Sequence, residues 1–155
     1  IHFLFILLSE RKRFDRALFE KYDKAAREAT THYLVSQHYE VMEHPDRYAQ
    51  DLLFYKPEDF YALDRCMKAE CEVKRVWTND VFPYENVQLP ERKKKFCDGM
   101  TMFFIWNEPL THAITFWDSA LKDLTPVEVP NKYMYKDEYF FQIPMERVEI
   151  VCSSD

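Results

Sequence analysis

The chain has 155 residues, enough for one domain with a real core, and it carries 17% aromatic residues but a single glycine, Gly99. One glycine excludes a glycine-rich phosphate cradle and a dinucleotide fingerprint, which both need backbone close to the ligand, and it favours helices over hairpin turns. A net charge of −6 argues against a general nucleic-acid binder.

In chain order, residues 1–8 (IHFLFILL) are too short to span a bilayer. They read either as the remnant of a secretory signal peptide, with Arg11, Lys12 and Arg13 following, or as the first packed turns of a helix. Residues 14–42 place Phe14, Leu18, Tyr22, Ala25, Ala29, Tyr33 and Leu34 mostly three or four apart, which predicts one long amphipathic helix or two helices in succession. Pro45 ends it. Pro57 opens a second helical pattern over residues 57–77, with Phe60, Leu63, Met67, Val73, Val76 and Trp77 on its face. Residues 78–89 read as a loop. Pro90 opens a further helix that begins charged (Arg92, Lys93, Lys94, Lys95) and ends apolar on every side (MTMFFIW, residues 100–106). Residues 110–124 form another, with Ile114, Phe116, Trp117, Leu121 and Leu124 apolar. Pro126, Pro130 and Pro144 then punctuate an extended tail, residues 125–155, in which residues 148–151 have strand propensity but no visible partner. The fold class expected is therefore all-α: a compact bundle of about five helices with an extended C-terminal segment.

Cys66, Cys71, Cys97 and Cys152 match no zinc spacing. On one helix Cys66 and Cys71 would point apart, which leaves each to pair with Cys97 or Cys152, or leaves four buried thiols.

Several segments together resemble the abalone sperm lysin family of gastropod acrosomal proteins. They are residues 14–18 (FDRAL), Tyr33-Leu34-Val35 with Tyr39 and His44, Leu89 with Asp98, Met100 and Phe103, and residues 126–134 (PVEVPNKYM). The resemblance implies a helical bundle and a non-enzymatic, secreted protein of the sperm acrosomal vesicle. It would act at fertilization by binding egg membrane lipid or vitelline-envelope glycoprotein. The acidic balance and the broken basic rows sit closer to the fusion-associated paralogue than to the egg-coat lysin, so assistance of membrane fusion is the first expectation and lysin-like envelope dissolution the alternative. No cofactor or metal is expected, nucleic acid is not an expected partner, and a homodimer through the aromatic segment is a further state.

The residues that would carry this role are Phe103, Phe104, Trp106, Phe140 and Phe141 as membrane- or partner-facing rings, with Arg11, Lys12, Arg13, Arg92, Lys93, Lys94 and Lys95 as basic patches. Enzyme constellations are poor. Glu28 and His32 share a helical face, where a surface hydrogen bond outweighs a metal site, and Cys97 with His112 would be a nucleophile and base with nothing visible to activate the thiol.

Overall fold

The computed structural model describes residues 15–59, 65–129 and 138–154. It corrects the all-α expectation. Among the described residues there is one long helix, α1 (Arg16–Ser36), and nine strands in two sheets. The strands are β1 (Glu40–Glu43), β2 (Leu52–Tyr55), β3 (Met67–Lys74), β4 (Asn86–Pro90), β5 (Thr101–Asn107), β6 (His112–Trp117), β7 (Val127–Val129), β8 (Glu138–Pro144) and β9 (Glu149–Cys152).

The first helix is real but shorter than its pattern. Asp15 caps it by accepting from the Leu18 N–H at 3.1 Å. It ends at Ser36 because His38 takes a positive φ of 69° and turns the chain into β1. Ala26, Thr30 and Leu34 form its buried stripe.

Six strands make one sheet, in the order β1-β2-β3-β5-β6-β9. All neighbours are antiparallel except β3 and β5, which run parallel with Glu70 opposite Phe103. The crossover between them holds β4 and a short 3₁₀ stretch, Glu91–Phe96. The second sheet, β4-β8-β7, is antiparallel and packs over one face of the first; α1 covers the other.

This layering explains the corrections. Residues 100–106 are apolar all round because β5 is buried on both faces, a pattern that a buried helix shares. Phe104 and Trp106 face α1 with Leu52, Phe54 and Ala69, while Phe103 and Ile105 face Leu89, Phe141 and Ile143 of the second sheet. Within the predicted helix over residues 57–77 the described part is a 3₁₀ turn (Pro57–Asp59) and β3, while Phe60 and Leu63 lie outside the described residues; the helix predicted over residues 110–124 is β6 followed by a 3₁₀ turn (Asp118–Leu121). The C-terminal segment contributes β7, β8 and β9, and β9 finds its partner in β6. Scarce glycine does not prevent the turns. Leu110 and Asp123 take positive φ values of 61° and 65°, and the Asn107 side chain accepts from the N–H groups of Thr111 and His112 to close the β5–β6 turn. Among the described residues no helix is long and apolar enough to cross a membrane.

Candidate functional site

Strand β3 alternates. Met67, Ala69, Cys71 and Val73 pack towards α1, so the pleat sends Lys68, Glu70, Glu72 and Lys74 to the opposite face. One step beyond the Leu52–Ala69 pair, the register sets Asp51 opposite Glu70. Two carboxylates across a ladder repel each other, which is unfavourable unless something compensates. Two groups do. The Asp51 Oδ2 accepts from the Cys71 N–H at 2.9 Å. Lys93, carried by the 3₁₀ stretch of the crossover, donates to Glu70 Oε2 at 2.5 Å.

Glu70 is only 6% exposed. Burial pushes its carboxyl up to about 8, Lys93 pulls against that rise, and Asp51 adds to it. Burial alone would lower the Lys93 ammonium, but Glu70 and Glu72 outweigh it and hold Lys93 above its ordinary value. Asp23 on α1 is raised by burial and then by Asp51, against the pull of Arg27 and Lys93. Arg27 spans Asp23 at 3.3 Å and Glu43 at 3.1 Å and so ties α1 to β1. The result is a compact polar corner of two facing carboxylates and a lysine, with the Asp23 carboxylate nearby.

No model of a protein family, no curated protein and no solved structure matches the chain.

The expected binding residues are distributed differently. Phe103, Phe104 and Trp106 are interior, each no more than 2% exposed, so they are not a membrane- or partner-facing patch. The Trp106 indole N–H donates to Thr30 Oγ1 of α1 at 2.9 Å, which pins the helix to the sheet. Phe141 is buried between the sheets; Phe140, its neighbour on the other side of β8, is half-buried. Arg92, Lys94 and Lys95 are exposed, and Arg92 reaches Glu138 at 3.4 Å, whereas Lys93 turns inward to Glu70. Arg11, Lys12 and Arg13 lie outside the described residues.

No disulfide joins Cys66, Cys71, Cys97 and Cys152. Cys66 and Cys71 are buried in and beside β3, not on a helix. His112 pairs with Cys152, across β6 and β9, and not with Cys97. Glu28 and His32 are both exposed beside a groove between α1 and β1, and among the described residues no three His, Cys, Asp or Glu side chains converge to hold a metal ion.

Sequence reasoning missed Asp51, Glu70 and Lys93. The available signal was the KAECEVK run, residues 68–74, which places charges at every second position between small apolar residues, a strand period with a polar face. Taken as part of a helix, the same residues scatter around the axis and no site is visible.

Proposed function

We propose that the Asp51–Glu70–Lys93 corner is a site for a divalent cation and a phosphodiester, and that the protein hydrolyses that ester. The observation that carries this reading is the pair of carboxylates facing each other across β2 and β3 with a buried ammonium held against one of them. Hard oxygen donors suit Mg²⁺, which keeps several waters and takes one or two carboxylates together with substrate phosphate oxygens. Two protein carboxylates therefore suffice without a closed cage. Lys93, which holds Glu70 in this structure, would supply a compact positive charge for a phosphate oxygen once a cation occupied the carboxylates. A cation held by Asp51 and Glu70 would supply polarisation of the phosphoryl group and a more acidic water.

A polyanionic substrate fits the local charge better than the net charge suggests. On the Glu70 face β3 carries Lys68 and Lys74, and Arg92, Lys94 and Lys95 share the 3₁₀ stretch with Lys93. A nucleic-acid strand is the phosphodiester that such a cluster favours. The egg-surface reading drew in part on outward rings, and Phe103, Phe104 and Trp106 are interior.

Calorimetric titration with Mg²⁺ and Mn²⁺ tests the reading, paired with hydrolysis of single- and double-stranded oligonucleotides and of bis(p-nitrophenyl) phosphate. Because the cation must displace the Glu70 proton, affinity is expected to rise with pH up to about 8. Asp51→Asn and Glu70→Gln are each expected to weaken cation binding by about tenfold or more and to abolish hydrolysis. Wild type and both variants titrating alike would overturn the proposal.

A further inference from the structure

A second constellation lies elsewhere on the large sheet, at the end of β6. His112 and Cys152 stand opposite each other in the β6–β9 register. The Cys152 Sγ lies 3.2 Å from His112 Nε2, and His112 Nδ1 lies 2.9 Å from Thr111 Oγ1. Thr111 Oγ1 in turn accepts from the Asn107 Nδ2 at 2.9 Å, while Asn107 Oδ1 accepts from the N–H groups of Thr111 and His112. Asn107 is fully buried, so this turn is a fixed mount for the imidazole.

The arrangement sets the imidazole to take the thiol proton. With Nδ1–H donating to Thr111 Oγ1, whose two lone pairs then serve His112 and Asn107 together, Nε2 is left to accept from the Cys152 S–H. A thiol facing an imidazole base that is itself held by a third group is the arrangement that makes cysteine nucleophilic. Cys152 is half-buried and therefore within reach of a small reagent.

We propose that Cys152 and His112 form a nucleophilic thiol site that reacts with soft electrophiles and with low-molecular-weight disulfides. In alkylation by iodoacetamide the Cys152 sulfur forms a C–S bond, the C–I bond breaks, iodide leaves, and the thiol proton remains on His112. In exchange with a small disulfide a new S–S bond forms to Cys152, the old S–S bond breaks, and the leaving thiolate takes the proton from His112.

Cys97 is the internal reference. It is also half-buried, but burial, then Asp118 and Asp98, push its thiol up to about 11, so it should be slow. The test is timed labelling of the native protein with iodoacetamide near pH 7, read site by site by peptide mass spectrometry. Cys152 is expected to label about tenfold faster than Cys97, and His112→Gln is expected to slow Cys152 by a similar factor while leaving the Cys97 rate unchanged. Equal rates at Cys152 and Cys97 in wild type would overturn the proposal without any variant. So would a folded His112→Gln protein, judged by its circular dichroism, in which Cys152 still labels at the wild-type rate.

Discussion

Trp106→Ala is expected to lower the unfolding free energy by about 3–5 kcal/mol, enough to unfold a domain of ordinary stability. Trp106 is fully buried in β5 and packs with Phe54, Ala69 and Leu34, so truncation leaves a large cavity between α1 and the sheet. It also removes the N–H donor to Thr30 Oγ1, whose hydroxyl keeps its bond to the Ala26 carbonyl at 2.8 Å. Phe104→Ala should fall in the same range, because Phe104 is equally buried and meets Tyr33 edge-on at a centroid distance of 6.0 Å. Thr30→Val separates the two contributions: it keeps the volume but strands the indole N–H, at a cost of about 1–3 kcal/mol. Urea denaturation followed by tryptophan fluorescence measures all three. Unchanged midpoints for Trp106→Ala and Phe104→Ala would mean that these rings lie outside the interior, as an outward aromatic patch would require.

The same residues show what could be read in advance. The amphipathic spacing over residues 14–42 pointed to a helix, because a 3.6-residue period is a strong local signal, although α1 itself ends at Ser36. The aromatic run of β5 was correctly seen as apolar on every side, but its secondary structure was not legible. A strand buried on both faces and a buried helix share that pattern, and length does not separate seven residues of strand from two turns of helix. The proline positions misled. Pro90 does open helical geometry, yet only a short 3₁₀ segment, Glu91–Phe96, before the chain passes on towards β5. Glycine counting misled as well, since Leu110, Asp123 and His38 adopt the positive φ expected of glycine.

The site was illegible for a different reason. Asp51, Glu70 and Lys93 are separated along the chain, and only the β2–β3 register and the crossover bring them together. Once β3 is known to be a strand, Glu70 and Glu72 fall on one face; nothing local to the sequence predicts that Lys93 reaches back to meet them.

Lys93→Met is the substitution that weighs most on that corner. It leaves Glu70 buried opposite Asp51 without its ammonium, and breaking a buried pair in this way costs about 3–5 kcal/mol when the remaining group is charged. The loss should depend on pH. The folded value of Glu70, about 8, lies above its ordinary 4.5, so its contribution to stability is fully present below 4.5 and disappears as pH rises through about 8. Removing Lys93 deletes the main group pulling that value down, which extends the window upwards. At pH 5 the variant can therefore hold Glu70 as a neutral acid beside Asp51, and the loss shrinks towards that of packing alone. At pH 9 ionisation sets two carboxylates against each other with no partner, and the full loss returns. Glu70→Gln should flatten the pH dependence between 5 and 8, and Glu70→Gln in the Lys93→Met background should restore most of what Lys93→Met removes, since the uncompensated charge is gone. Urea midpoints for the four proteins at pH 5, 7 and 9 measure this. A Lys93→Met loss of the same size at all three pH values, or an unrescued double variant, would mean that the lysine contributes through its packed methylenes and not through its charge.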